Sequence, residues 1–137
     1  MKGGRKMRKD EILNASPEQL RELVAVHVME WEKRHSPDPT IWSWKLPDGT
    51  GYATGYTAEA WLNREVGDWV ENMDHARQVA KRMIERGWYM IMTWYDHATC
   101  VEFHHRVDSE QIVEAWGKEP ERAICRAALL VVMGATA

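Results

Sequence analysis

The chain has 137 residues, of which 45% are hydrophobic and 28% are charged, and its formal net charge is −3. This length fits one domain that buries about two-thirds of its unfolded surface, so no disulfide framework or structural metal is required. There is no apolar run of about 18 residues, so no membrane-spanning segment is expected. The charged start, residues 1–9, is not followed by an apolar stretch, so we expect no secretory signal. With only 2 cysteines, the chain is expected in the cytoplasm of a bacterial host.

Basic residues are concentrated at the N-terminus. Residues 1–9 carry five cations and no anion, which leaves 13 cations and 21 anions, a net charge of −8, in residues 10–137. An acidic body argues against a surface that follows a phosphate backbone, because such surfaces need clustered Lys and Arg. The arm could itself touch nucleic acid, but we favour a solvated, disordered arm over residues 1–9 and one domain over residues 10–137.

Apolar periodicity predicts three main helices. Residues 16–19 form a capping box, and the apolar stripe after them predicts a first helix that ends by Ser36, before a proline. A second helix begins at Asn72 and ends at Gly87, the left-handed residue after the last turn. The third begins at Pro120 and is apolar on nearly every side, which is typical of a helix that is buried or paired with another chain.

Two groups of strands are predicted between the helices. An aromatic-rich hairpin is predicted from residues 41–46 and 52–56, which are separated by turn residues. A long loop with one short helical turn is predicted over residues 57–70. Three further strands are predicted over residues 88–95, 100–106 and 111–116, where successive side chains belong to opposite faces. The turns between them are short, so the strands can form only an antiparallel three-stranded meander. The sequence therefore predicts an α+β protein.

Three stretches carry a resemblance to a known family. They are Glu11-Ile12-Leu13, then the first helix from Glu18 to Trp31, and the closing run Pro120-Glu121-Arg122-Ala123-Ile124-Cys125-Arg126-Ala127-Ala128-Leu129-Leu130. They resemble the small phage and prophage proteins grouped as the Phage ABA sandwich domain, with Asp74 to Met83 similar to the middle helix and residues 41–70 as the variable part. The family usually has Thr or Ser where Glu119 stands. The resemblance implies an α/β/α sandwich and a phage or prophage origin, and it supplies no activity or catalytic residues.

Aromatic side chains crowd the variable segment 41–70. Such rings, with a nearby arginine, can stack on a planar ligand such as a nucleobase. The candidate ligand-binding residues are Trp42, Trp44, Tyr52, Tyr56, Trp61, Arg64 and Trp69. The alternative, which we favour, is that these rings cover a sheet edge or a subunit interface, where Trp and Tyr are also enriched.

Metal binding and catalysis have less support in the sequence. Cys100 and His104 share one face of a strand and are candidate metal ligands, but the paired spacing of structural zinc sites is missing. Glu102, His104 and His105 are the candidate acid/base or metal residues of an enzyme, in a chain without a recognisable nucleophile motif. His27, on the apolar stripe of the first helix, is expected to be a core histidine. We therefore expect no metal, no cofactor and no catalysis.

The functional hypothesis is a non-enzymatic phage or prophage accessory protein. It would bind a small ligand, such as a nucleotide signal in a counter-defence role, or a host protein. It would form a homo-oligomer through its last helix and aromatic segment. The alternative is a nucleic-acid-binding module, because helix, three strands and helix is the order of double-stranded-RNA-binding domains. The acidic body argues against that alternative.

Overall fold

The structure is a computed structural model that describes residues 8–35, 42–47, 51–55 and 68–134. Residues 1–7 of the basic arm lie outside the described residues, whereas Arg8 and Lys9 already belong to the start of the first helix, α1 (Lys9–Leu13). Helix α2 (Pro17–Leu23) begins with the predicted capping box. The Ser16 Oγ accepts a hydrogen bond from the Gln19 amide at 3.1 Å, and the Gln19 Oε1 accepts one from the Ser16 amide at 3.0 Å.

The first helix ends earlier than the sequence predicts. After α2 the chain continues as a π-helix (Val24–Val28), and the left-handed backbone of Glu30, with φ of 61°, ends it before Ser36. The Glu30 carboxylate accepts hydrogen bonds from two guanidinium groups of the following helix, Arg82 and Arg86, the latter at 2.9 Å. The predicted limit at Ser36 is therefore respected, but the sequence did not predict that the helix ends before Glu30, because these partners lie more than 50 residues away.

The residues after this helix form a small antiparallel sheet. Strand β1 (Glu32–His35), which the sequence did not predict, pairs with β2 (Trp42–Lys45), and β2 pairs with β3 (Gly51–Gly55). The predicted hairpin is therefore confirmed as the pair β2–β3. Most of the predicted loop over residues 57–70 lies outside the described residues.

The second half of the chain follows the predicted order. Helix α3 (Met73–Glu85) is capped by the Asn72 side chain, and Gly87 after it has φ of 96°. Strands β4 (Trp88–Trp94), β5 (Thr99–His105) and β6 (Ile112–Gly117) form an antiparallel meander, and helix α4 (Pro120–Met133) follows. These elements confirm an α+β sandwich with a three-stranded antiparallel sheet.

Helix α4 is the centre of the core. It packs on β5 and β6 and also contacts α1, α2, the π-helix and α3. Its buried residues are Ala123, Ile124, Cys125, Ala127, Ala128, Leu129 and Leu130. Much of the apolar surface of this helix is therefore buried within the chain, and the predicted homo-oligomer stays a prediction. The N-cap position, Glu119, makes no capping hydrogen bond with its side chain.

The sheet β4–β5–β6 has two faces of different character. The face that packs against the helices carries Val101, Phe103 and Ala115, all buried. We call the opposite side the outer face. It is formed by Tyr89, Ile91, Thr93, Tyr95, Cys100, Glu102, His104, Ile112, Glu114 and Trp116.

Candidate functional site

Large apolar side chains are exposed together on the outer face. Five of the eight exposed large hydrophobic residues of the described chain lie here, each between 41% and 58% exposed: Tyr89, Ile91, Tyr95, Ile112 and Trp116. Scattered exposed hydrophobic residues are normal on a protein surface, whereas several large ones on one sheet face are typical of interaction sites. This face is the candidate functional site.

Aromatic contacts stand at both ends of the outer face. At one end the Tyr89 ring stacks on the His104 ring, with centroids 5.1 Å apart and planes 15° from parallel. At the other end the Tyr95 and Trp116 rings contact each other across β5, with centroids 5.2 Å apart. Each ring is restrained by its neighbour, so the face presents flat aromatic surfaces that lose little side-chain entropy when a partner binds.

Two carboxylates occupy the middle of the outer face. Glu102 on β5 and Glu114 on β6 are direct register partners. The Cβ atoms of such a pair are about 5 Å apart, so two side chains of like charge lie side by side. Glu102 contacts the His104 Nε2 at 3.3 Å, and Glu114 accepts a weak hydrogen bond from the Cys100 Sγ at 3.6 Å. Neither carboxylate forms an ion pair with a lysine or arginine of the described residues.

The thiol at this site is not an activated nucleophile. Cys100 is only 6% exposed, and burial together with the neighbouring Glu114 and Glu102 carboxylates raises the pKa of Cys100 to about 11. A thiol of this kind stays protonated at neutral pH, and the thiolate is the reactive form. Burial also raises the pKa of Cys125, which lies inside the core.

An open groove adjoins the outer face at the β6 edge. Its volume is about 280 Å³, and it is lined by Lys9, Leu13, Glu114, Ala115, Trp116 and Arg126. The Arg126 Nη1 donates a hydrogen bond to the Trp116 carbonyl oxygen at 2.9 Å, which ties α4 to the end of β6. The groove extends the candidate site from the sheet towards α1.

The structure gives the backbone position of three candidate residues of the aromatic segment. The backbone places Trp42 and Trp44 in β2 and Tyr52 in β3, while Tyr56, Trp61 and Arg64 lie outside the described residues.

Trp69 requires a correction, because it is fully buried and cannot stack on a ligand. Its ring meets Trp31 edge to face at 5.2 Å, and its Nε1 donates to the Arg21 carbonyl oxygen at 3.0 Å.

The residues proposed for metal binding or acid/base chemistry are divided between the two sheet faces. Cys100, Glu102 and His104 share the outer face as expected, whereas His105 lies on the other face with its ring against Trp88. Within the described residues, no three His, Cys, Asp or Glu side chains are grouped to hold a metal ion.

Two further sequence expectations concern His27 and the nucleic-acid alternative. His27 is half-buried in the π-helix, and burial lowers the pKa of its imidazole. The order α3–β4–β5–β6–α4 is the one expected for the nucleic-acid alternative. At the start of α4, however, Arg122 lies within 4.0 Å of Glu119 and Glu71, so its charge is already paired.

The outer face was not predicted to be a functional site from the sequence. The signal was present in β4, where Trp88, Met90, Met92 and Trp94 alternate with Tyr89, Ile91 and Thr93. A strand with apolar residues on both faces is expected to be covered on both sides. In the described chain the helices cover one side.

The described residues form a small α+β protein in which one sheet face carries exposed aromatic and aliphatic side chains. Its sequence matches the model of the Phage ABA sandwich domain over residues 22–129, which is more than three-quarters of the chain. The chain therefore belongs to the Phage ABA sandwich domain family, and the membership fits a phage accessory protein. No curated protein and no solved structure is significantly similar to the chain. In the described residues, no helix is long and apolar enough to cross a membrane.

Proposed function

We propose that this phage accessory protein acts by binding a host protein on its outer face, without catalysing a reaction. The observation that carries the proposal is the group of five large exposed hydrophobic residues on one side of the sheet. Interfaces are enriched in Tyr and Trp, and three of these five residues are of those types. A host protein held in this way would be kept from acting against the phage, which is a counter-defence role.

The shape of the site favours a protein over a small ligand. Small-molecule sites are concave and bury most of the ligand, whereas the outer face is an open sheet surface. Three strands of this length offer about 300 Å² of sheet, which suits the centre of a transient interface. The groove beside Trp116 provides further contact area for a protein that extends past β6. The nucleotide version of the hypothesis depends on the segment 41–70 and stays a prediction.

A matched pair of substitutions tests the proposal. Ile91 lies on the outer face and is 41% exposed, and Ile84 lies on α3 and is 48% exposed. We expect a phage that carries Ile91→Asp to grow like one in which the gene is deleted, on a host where the deletion lowers burst size. Ile84→Asp makes the same chemical change away from the face, and the phage that carries it should grow like the wild type.

The two variants must also be compared as folded proteins. Ile91→Asp places a carboxylate opposite its register partner Glu102, so it should unfold at a slightly lower urea concentration than Ile84→Asp. Both variants should still fold, because both side chains are already half-exposed. Wild-type growth of the Ile91→Asp phage would contradict the proposal. Equal loss in both variants would also contradict it, since that effect would not depend on the outer face.

A further inference from the structure

We propose that the outer face recognises a positively charged protein segment, with an arginine or lysine side chain seated between the Tyr95–Trp116 pair and the Glu102 and Glu114 carboxylates. The inference rests on the proposed function, because it names the chemistry of the partner for that same face. It follows from three features of the described residues: an uncompensated charge, the neighbouring rings, and the unfavourable result of pairing two copies.

The first feature is the negative charge of the face. Glu102 and Glu114 oppose each other in register, and no lysine or arginine occurs in β4, β5 or β6. Arg106 and Lys118 come only after the strands end. Opposed like charges destabilise a sheet, so a cation supplied by a partner would relieve a repulsion that the free protein carries.

The two described cations that line the adjacent groove do not pair with Glu114. Lys9 and Arg126 line the groove at the β6 edge, but neither forms an ion pair with Glu114. Arg126 directs its Nη1 to the backbone of Trp116. The carboxylates therefore remain available to a partner.

The second feature is the position of the rings beside the carboxylates. Trp116 follows Glu114 by two residues on the same strand face, a spacing of about 7 Å. The Tyr95 ring contacts Trp116 with centroids 5.2 Å apart, so two aromatic rings lie together at one end of the acidic centre. An arginine side chain is long enough to stack on such a ring while its guanidinium reaches a carboxylate.

The third feature argues against a second copy as the occupant. A symmetric dimer through this face would bring the Glu102 and Glu114 of both copies together in a partly desolvated interface. The same charges would repel the phosphates of a nucleic acid. A basic protein segment is the partner that can both stack on the aromatic rings and form ion pairs with the carboxylates.

Binding of short synthetic peptides to the full-length protein tests the inference. The probe is a fluorescein-labelled Ala-Arg repeat of eight residues. Its control is the same peptide with citrulline, which has nearly the shape of arginine but carries a carbonyl oxygen in place of one NH2 group and has no charge. We expect the arginine peptide to bind at least about tenfold more tightly than the citrulline peptide, and we expect its affinity to fall as salt rises.

Two double variants that remove the same number of charges test whether binding depends on the outer face or on the net negative charge of the protein. We expect the double variant Glu102→Gln/Glu114→Gln to weaken the arginine peptide about tenfold, and Trp116→Leu to weaken it several-fold. The control Glu18→Gln/Glu85→Gln removes two exposed charges from α2 and α3 and should change the affinity less than twofold.

The outcomes distinguish this inference from the proposed function. The inference of a cationic partner would be overturned if the arginine and citrulline peptides bound equally well. It would also be overturned if the two double variants weakened binding of the arginine peptide equally. If Ile91→Asp still abolished phage growth in that case, the outer face would remain a binding surface for a partner of other chemistry. If Ile91→Asp had no effect on growth, the proposed function itself would fall.

Discussion

Glu102 and Glu114 lie directly opposite each other on neighbouring strands, on the face of the sheet that the helices α3 and α4 leave open. Two like charges in register are unfavourable for the sheet. Their only described polar contacts are with His104 and Cys100. A surface that retains such a pair beside exposed aromatic rings is suited to binding at some expense of stability.

We predict that Glu102→Gln stabilises the free protein. The substitution removes the repulsion with Glu114 and should raise the free energy of unfolding by about 0.2–1 kcal/mol in low salt. Urea unfolding measures this change, and high salt should shrink it. Glu110→Gln, in an exposed turn, is the control and should change stability very little. A loss of stability in Glu102→Gln would show that the pair is not repulsive.

The Cys100 thiol should react slowly with alkylating reagents in the folded protein. Its pKa is raised by burial and by the Glu114 and Glu102 carboxylates to about 11, so its rate of reaction with iodoacetamide should still increase above pH 9. Glu114→Gln removes one of these charges and should shift the pH profile downwards. Mass spectrometry distinguishes Cys100 from the buried Cys125. A midpoint near the ordinary thiol value would contradict this environment.

The same shift has a consequence for stability. Because folding raises the pKa of Cys100 from 9.0 to about 11, the stability linked to this thiol is complete below pH 9 and is lost as the pH rises towards 11. Cys100→Ser should weaken this dependence on pH.

Trp69 should contribute to the stability of the core and take no part in ligand binding. Trp69→Phe keeps a large apolar ring but removes the donor to the Arg21 carbonyl oxygen, which should cost about 1–3 kcal/mol of unfolding free energy. Trp69→Ala also leaves a cavity and should cost about 3–5 kcal/mol. Thermal unfolding of both variants tests the order of these effects. Equal stability of Trp69→Phe and the wild type would contradict the role of the hydrogen bond.

Gly117 is required by the close approach of β6 to α4. A Cβ atom at this position would lie 2.8 Å from the Ala123 amide nitrogen, a backbone atom that cannot move aside cheaply. We predict that Gly117→Ala destabilises the protein by about 1–3 kcal/mol. Gly87→Ala is a useful comparison, because its Cβ would meet nothing within 4 Å and only the strain of its positive φ remains. If Gly117→Ala were harmless in urea unfolding, the strand and helix would be less tightly packed than the structure indicates.

The local features of the fold could be predicted from the sequence. The capping box at Ser16, the glycine that ends α3 and the proline that begins α4 each act within a few residues, so their patterns are visible in the chain. The meander was predictable because its turns are too short for any other connection.

The features that depend on distant partners could not be predicted. The helix before Glu30 ends where Arg82 and Arg86 hold that carboxylate, and Trp69 is buried by packing on Trp31. The outer face was missed for a related reason. Alternation shows which residues share a face, but only the placement of α3 and α4 decides which face is open.

The most direct test of the outer face as a binding surface is photo-crosslinking in the infected host. A benzophenone amino acid is introduced at position 91 on the outer face, and in a separate protein at position 84 on α3. We expect a discrete crosslinked species from position 91 that is absent at position 84 and is reduced when Glu102 and Glu114 are both replaced by Gln. The same crosslinks from both positions, or crosslinks from position 84 alone, would contradict this expectation.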